Sequence, residues 1–522
     1  MFEKLWNWFK PNPKPTKQRR YEGARYSRLD TDWFTSGTSA DSEIFSSLRK
    51  LRNRTRQVIR DYDYALNALR IINNNVIGKG ITLQGQIKRQ RKVEGHHEND
   101  DRLNNLLESA WNSWCNKKNC DVTGQQHFSD LQKLILSAIA TDGEVLIRLV
   151  KDRFGESPVP LGLEVIEADQ LADDYNGSHN GNLIKMGIEF DKWHRPTAYW
   201  LYDYHPGDYQ FITAKVGKRD IRRVPAEEIR HYYLKNRPSQ SRGVTWFHAC
   251  LQRVRNIGEY ETAEIVASRA AASYMGFRKT PDGDLTDGDE GDNIEHFEPG
   301  MIGKLAPGED FVAFDPSRPN QAFEPFTKMM LRGIAAGTGT PYPAISKNYA
   351  DANYSSIRQE LVDTRDHWEI LQHWFAANIC QEIYEEWLDM AVLSGVLPFS
   401  DYELNPERFT KVRWMYRGWS WVDPEKEIKS VILALNHGLT TYTKEAAKQG
   451  EDFEEMLKTI AKEKKMAENY GVQIYLPFGG SDSKIEGSNA FEETSKDASL
   501  PCSDRFKFLE WNTLPNGQTT LK

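Results

Sequence analysis

The chain has 522 residues and a formal net charge of −7, enough for three or four packed units at roughly 100 to 200 residues each. Its 15 Trp, 22 Tyr and 23 Phe supply an ample core and exclude a mostly disordered chain. The acidic balance excludes a protein that grips nucleic acid over its whole surface, although residues 1–60 carry 14 Lys/Arg against 6 Asp/Glu.

Residues 1–40 read as a basic N-terminal arm. The start has apolar residues broken by Glu3, Lys4 and Asn7 and then a proline run, so it lacks the continuous apolar region of a secretory signal. Residues 41–76 read as a helix, with Leu48, Leu51, Val58, Ala65, Leu69 and Ile72 near helical spacing. Arg49, Lys50, Arg52, Arg54, Arg56 and Arg60 interleave with them. That basic face is read either as solvated or as a contact for a polyanion or acidic partner. Two further helices are expected around 103–114 and 128–140.

The period then changes. Segments 143–151, 161–167, 183–191, 197–203 and 229–235 are short β-rich runs punctuated by Gly, Pro, Asn and Asp, which predicts one antiparallel sheet of hairpins. A long helix is expected from Gly243 to Gly276, with an apolar stripe of Trp246, Cys250, Val254, Ile257 and Ile265. Ala263, Ala267, Ala270, Ala271 and Ala272 follow it, small enough to admit a neighbouring helix. An acidic stretch from Pro281 to Glu298 has eight carboxylates and no Lys or Arg. Its spacing breaks the calcium-loop pattern at Thr286 and Asp287, so a solvated loop is expected.

Residues 325–336 form another helix, with Lys328 and Arg332 on one face. The glycine- and proline-containing segment 337–356 looks too irregular for helix or strand, and a loop of that length is commonly functional. Ser356 and Gln359 have capping-box spacing. The helix they open is expected to reach Leu393, about 55 Å at 1.5 Å per residue. Asp423-Pro424 and Asp452 open two more helices. Beyond residue 472 the chain is Gly-, Ser- and acid-rich, a composition that favours disorder.

Enzyme signatures are missing. There is no phosphate-binding G-x-x-x-x-G-K-[ST], no H-E-x-x-H and no G-x-S-x-G. Cys115 and Cys120 with His127 lack a fourth zinc ligand, and five cysteines do not make a secreted disulfide framework. No window approaches 18 uncharged apolar residues. No catalytic residue, metal or cofactor is expected, and no membrane partner; the chain reads as cytosolic and soluble.

Several separated stretches nevertheless resemble, in order, the lambda-type portal proteins of tailed bacteriophages. They are Val76–Ile81, Asp142-Gly143-Glu144, Glu167–Leu171, Gly187–Asp191 followed by Arg195-Pro196, and Arg242-Gly243-Val244 with Glu259–Glu264. Leu331–Tyr342 followed by Asn353–Arg358 is the most specific, with Trp421–Glu427 nearly as specific. Asp61-Tyr62 stands where the family often has Asn-Pro.

The resemblance implies an α+β, mainly helical portal fold assembled as a ring, typically of twelve subunits. The fold has a wing with a small antiparallel sheet, a two-helix stem, a clip, a channel loop and a helical crown. By position, the wing is expected at 41–243, the stem helices at 244–275 and 325–337, and the clip at 276–324. The channel loop falls at 338–355, the long wing helix and following segment at 356–423, the crown at 424–470 and the tail at 471–522.

The implied function is a conduit for double-stranded DNA at one capsid vertex, and a docking platform for the large terminase subunit and the head–tail adaptor. The major capsid or scaffold protein is a further implied partner. The implied place is the virion, with host cytoplasm during assembly. Lys328, Arg332, Lys347, Tyr342, Tyr349 and Tyr354 are candidate DNA-channel residues. Asp282, Asp284, Asp287, Asp289, Glu290 and Asp292 are candidate partner-docking residues of the clip loop. A head–tail adaptor ring, or a portal-like protein with an added enzymatic activity, are the alternatives.

Overall fold

The computed structural model describes residues 37–89, 100–208, 221–273, 277–279, 310–312, 322–350, 354–419, 424–472, 512–513 and 519–520. Helix α1 (Ala40–Asp61) starts where the Ser39 hydroxyl accepts the Ser42 amide, with Asp41 and Glu43 in its first turn. Both features satisfy the unpaired amides and the dipole of a helix start. The single helix expected over 41–76 is broken: Tyr62 is extended, and α2 (Asp63–Val76) starts anew. The Tyr62 ring lies against Gly258, where a Cβ would fall 2.1 Å from it, so the break seats that ring on another helix.

Strand β1 (Thr82–Gly85), helix α3 (Asp101–Trp114), the one-turn α4 (Lys117–Cys120) and α5 (Phe128–Asp142) follow. Asp100 caps α3 by accepting the Leu103 amide. Gly143, at φ 93°, ends α5.

The strands are β2 (Glu144–Val150), β3 (Gly162–Ile166), β4 (Gly177–His179), β5 (Asn182–Lys185), β6 (Ile188–Phe190), β7 (Pro196–Tyr202), β8 (Ile221–Pro225) and β9 (Ile229–Tyr233). They make two antiparallel sheets rather than the one expected: β3-β2-β9 and β4-β5-β6-β7-β8. Left-handed backbone at Met186 and Gly187 folds the run 183–191 into the β5–β6 hairpin, with Leu183 opposite Phe190. Strand β8 escapes a periodicity search because Val224 is its only buried residue.

Helix α6 (Leu251–Ser273) begins eight residues later than the expected Gly243, since residues 244–250 turn before it. Strands β10 (Phe277–Lys279) and β11 (Asp310–Val312) pair antiparallel. Helix α7 (Phe323–Thr338) then returns along α6. Gly337 meets Cys250, Gly333 meets Arg253, and Phe323 and Phe326 meet Tyr260, so the two helices are antiparallel. The α7 glycines give the close approach. Of the expected alanine stripe, Ala263 is exposed and Ala267 partly buried, while the side chains of Ala270, Ala271 and Ala272 lie outside the described residues. Ile265 of the expected apolar stripe is exposed, as is Val266.

Helix α8 (Tyr342–Ser346) occupies part of the segment read as irregular. Helix α9 (Tyr354–Phe375) runs through one π-type turn (Ala376–Cys380) into α10 (Gln381–Leu393). Ser356 therefore lies inside α9 rather than at its cap. The short α11 (Glu407–Thr410) and β12 (Val412–Met415) follow, and β12 pairs with β1. Helix α12 (Pro424–Asn436) is amphipathic yet buries no residue. Thr441 caps α13 (Tyr442–Lys448), a helix with no counterpart in the sequence reading. Residues 453–522 form a separate unit, in which helix α14 (Phe453–Asn469) is described.

The main core joins α3, α5 and α10. Trp111 lies 5.0 Å from Trp114, 5.0 Å from Trp387 and 5.3 Å from Phe128, centroid to centroid. A smaller core of Leu146, Ile166, Leu171, Ile188, Phe190, Tyr199, Leu201, Val224 and Ile229 lies between the two sheets. Among the described residues no helix is long and apolar enough to cross a membrane.

Candidate functional site

The α7–α8–α9 segment carries the candidate channel residues. Leu331, Ile334, Ala335 and Thr338 bury one face of α7, which leaves Arg332 exposed and Met329 60% exposed on another. Gly339, at φ 66°, ends α7 by donating its amide to the Ala335 carbonyl. A side chain there would be strained and would press on His367, 2.9 Å away.

Pro341 and Pro343 frame the start of α8. The Tyr342 amide donates to Glu360 of α9 at 2.9 Å. From α2, the Asn67 amide side chain donates to the Ala344 and Ile345 carbonyls at 2.9 and 3.1 Å. Both bonds anchor a helix too short to hold itself.

Of the six candidates, the fold brings Arg332 and Tyr342 together, with the guanidinium 5.4 Å from the ring centroid, within cation–π range. Lys347 is exposed and ends α8 in left-handed conformation, φ 56°. Tyr349 is 54% exposed. Lys328 pairs with Glu324 at 2.8 Å, so its charge is already offset. Tyr354 opens α9, and its side chain lies outside the described residues. Arg332 and Tyr342 line a cleft of about 890 Å³ with Ser356, Gln359, Glu360 and His367. Burial lowers the His367 pKa, which favours its neutral form. The six clip-loop carboxylates, Asp282 to Asp292, lie outside the described residues, as does the arm before residue 37.

A second constellation was not anticipated. Arg52 and Arg56 of α1 are drawn into the fold, and Arg49, still half exposed, is paired as well, so none of the three is free for an outside polyanion. Arg52, 1% exposed, donates to Glu144 at 2.8 Å and to Asp169 at 2.9 Å. Arg56 grips Asp142 through two bonds of 2.7 Å, and Arg49 grips Asp173. Glu144 is fully buried; it also receives Arg242 Nε at 2.8 Å, the Gly243 amide at 2.8 Å and His231 at 3.0 Å. Arg242 Nη1 continues to the Met186 carbonyl at 2.9 Å.

Burial by itself would raise the Glu144 pKa, but Arg242 and His231 outweigh it and hold the carboxyl well below its usual range. At Gly243 a Cβ would fall 2.1 Å from the Gly143 carbonyl oxygen, so only glycines let these two backbones meet. Thus Asp142-Gly143-Glu144, Glu167–Leu171 and Arg242-Gly243-Val244, distant in sequence, converge on one ionic junction between α1 and the sheets. The signal available beforehand was the i, i+3, i+7 spacing of Arg49, Arg52 and Arg56. It marks one helix face, but not whether the acids facing it belong to the same chain.

Among the described residues one His/Cys/Asp/Glu group has ligand atoms close enough to hold a metal: Glu167, Asp169 and His205. Arg56 pairs with both of its carboxylates, which opposes a cation there. Cys115 and Cys120 are free and buried. His127 uses its ring nitrogen to accept the Ser129 amide.

A family model described as "Phage portal protein, lambda family" matches residues 26–372. The "Probable portal protein" of Halomonas phage phiHAP-1 is 31% identical over 478 residues, covering 88% of this chain and 89% of that relative. The "Portal protein" of Escherichia phage N15 is 21% identical over 81% of this chain and 85% of its own length. "Portal protein B" of Escherichia phage lambda has the same identity and coverage. A chain of the virion of a native gene transfer agent particle aligns with a TM-score of 0.41 at 13% identity, over 76% of this chain and 93% of that one.

Proposed function

The chain belongs to the lambda family of phage portal proteins, structural components rather than enzymes, and on that premise we propose that it forms a homo-oligomeric ring, typically of twelve copies, at one capsid vertex. The ring is the conduit through which double-stranded DNA enters during packaging and leaves during ejection. It stands in the virion after assembly in the host cytoplasm. It also docks the large terminase subunit and the head–tail adaptor, and it meets the major capsid or scaffold protein. The observation that carries this reading is the family match through residues 26–372 together with a portal relative aligned over 88% of the chain.

In this reading α6 and α7 form the stem. The clip lies between them, α8 with its flanks forms the channel loop, α9–α10 is the long wing helix, and α12–α14 belong to the crown. Exposed apolar side chains support subunit contacts: Met329 on α7, Ile370 on α9 and Leu433 on α12 are each 60 to 68% exposed. A closed ring needs two different complementary faces on each subunit. Arg332, Lys347 and Tyr349 contact the DNA backbone weakly and in isolation, because a densely basic wall would brake a sliding polyanion. The net charge of −7 suits that role.

Negative-stain electron microscopy of the purified full chain tests the ring. Rings with a central hole wide enough for B-DNA are expected, and their symmetry gives the subunit number. Monomers at low and high salt that also hydrolyse ATP or cut DNA would overturn the reading. Replacing Asp282, Asp284, Asp287, Asp289, Glu290 and Asp292 with Ser should weaken terminase docking in a pull-down; unchanged docking removes the clip loop from that role.

A further inference from the structure

A cleft of about 230 Å³ opens between the β5–β7 hairpins and the loop after β9. Lys185, His194, Lys235, Ser239, Gln240 and Ser241 give it its polar wall, and no carboxylate lines it. Phe190, Pro196, Tyr233 and Pro238 supply the apolar remainder.

The wall is built rather than incidental. Gln240, 3% exposed, accepts the Asn236 amide at 2.9 Å and donates to the Arg242 carbonyl at 2.8 Å. The Tyr233 hydroxyl donates to the Gln240 carbonyl at 3.0 Å. Ser241 donates its amide and hydroxyl to Asp41 at 2.8 and 2.9 Å. The loop is thus fixed at both ends.

The cations are underused. Neither Lys235 nor His194 has a side-chain hydrogen bond or ion pair among the described residues. Lys185 lies 3.6 Å from Asp41, whose oxygens Ser241 already engages. His194 is held at φ 61°, an uncommon conformation for a side-chain-bearing residue. The turn that fixes it is tied by the Asp191 carboxylate, which accepts the Trp193 and Arg195 amides at 2.8 Å each. That turn also carries Lys192 and Arg195. Two ammonium groups, an imidazole and the Ser239 hydroxyl around a small cleft, with Asp41 behind the wall and no carboxylate in the lining, match a tetrahedral oxyanion.

We propose that this cleft binds a phosphate group. The source is either free phosphate or a backbone phosphate of DNA; the recognition chemistry is shared. The site lies apart from the α7–α9 segment and stands whether or not the channel assignment does.

Isothermal titration of the full chain with sodium phosphate, at ionic strength fixed with sodium chloride, tests it. Saturable binding is expected, with Lys235→Ala and Lys185→Gln each raising Kd about tenfold, as for loss of one charge-assisted contact. Lys444→Ala, on α13, should leave Kd unchanged. A short DNA duplex that displaces phosphate from the unchanged chain, but binds the Lys235→Ala chain more weakly, identifies the backbone as the source. Phosphate binding that the duplex leaves untouched identifies the free ion. Uptake no better than chloride, or both variants titrating like the unchanged chain, overturns the proposal.

Discussion

Two buried regions of this protein are held by opposite means. Around Trp111, Trp114, Phe128 and Trp387, fully or nearly buried rings meet edge to face or tilted. Trp114 Nε1 donates to the Leu161 carbonyl at 2.8 Å, whereas Trp387 Nε1 is buried with no hydrogen-bond partner among the described residues. Around Glu144, two buried guanidiniums, an imidazole and a backbone amide share one carboxylate. The first region gains from area removed from water and tolerates small shifts. The second brings charges out of water, and is favourable only while every partner is present. An apolar core therefore specifies a volume, whereas the junction specifies a register. Arg52 reaches Glu144 and Asp169 together only if α1, β2 and the loop before β4 sit in one arrangement.

The largest effect should come from breaking the junction at its centre. Glu144→Ala leaves Arg52 and Arg242 buried without their shared counter-ion, and should cost about 5 kcal/mol in urea unfolding. A cost under about 1 kcal/mol would show that water replaces the carboxylate and that the two regions are alike. Trp387→Ala should cost about 4 kcal/mol by opening a cavity. Its effect should not change with pH, since no charge is touched.

Gly243→Ala should cost about 2 to 3 kcal/mol, because the added methyl meets the Gly143 carbonyl and the chain must strain to admit it. Circular dichroism melts would then show intact helices with a lowered midpoint. A second ion pair, between the partly exposed Arg223 and the buried Glu189, gives a pH test. Two Arg223 bonds, with Asn182 and Thr197 also donating, lower the Glu189 pKa from 4.5 to about 2. The stability it supplies is fully present above pH 4.5 and is lost as pH falls towards 2. The stability gap between the unchanged chain and Glu189→Gln should therefore shrink across that window. Smallest of all, Lys429→Ala removes an exposed pair with Glu425 and should change stability by no more than about 0.5 kcal/mol.

Periodicity carried the helices well. Residues 103–114 and 128–140 were expected helical and are α3 and α5, because apolar spacing and caps are local properties. The π-type turn at Ala376–Cys380 did not disturb the expected run to Leu393, since Phe375, Ile379 and Ile383 remain on the buried side. Tyr62 was invisible: its extended conformation depends on Gly258, some two hundred residues away. Of the candidate site the sequence shows residue types and not their surroundings: Arg332 faces the Tyr342 ring and Lys328 pairs with Glu324, contacts within the chain that leave a role toward DNA to experiment.

What the sequence determined by itself was where most of the longer helices and the clearest extended runs fall, and which family motifs stand in order. All of these are written in spacings of a few residues or in short ordered strings. Only the tertiary structure decided that the strands divide into two sheets, that β1 pairs with β12, and that Arg52 and Arg56 of α1 face inward. Those outcomes depend on which distant segment supplies the partner. A strand edge or a guanidinium records its need for a partner in the local sequence, but not the identity of the one that meets it.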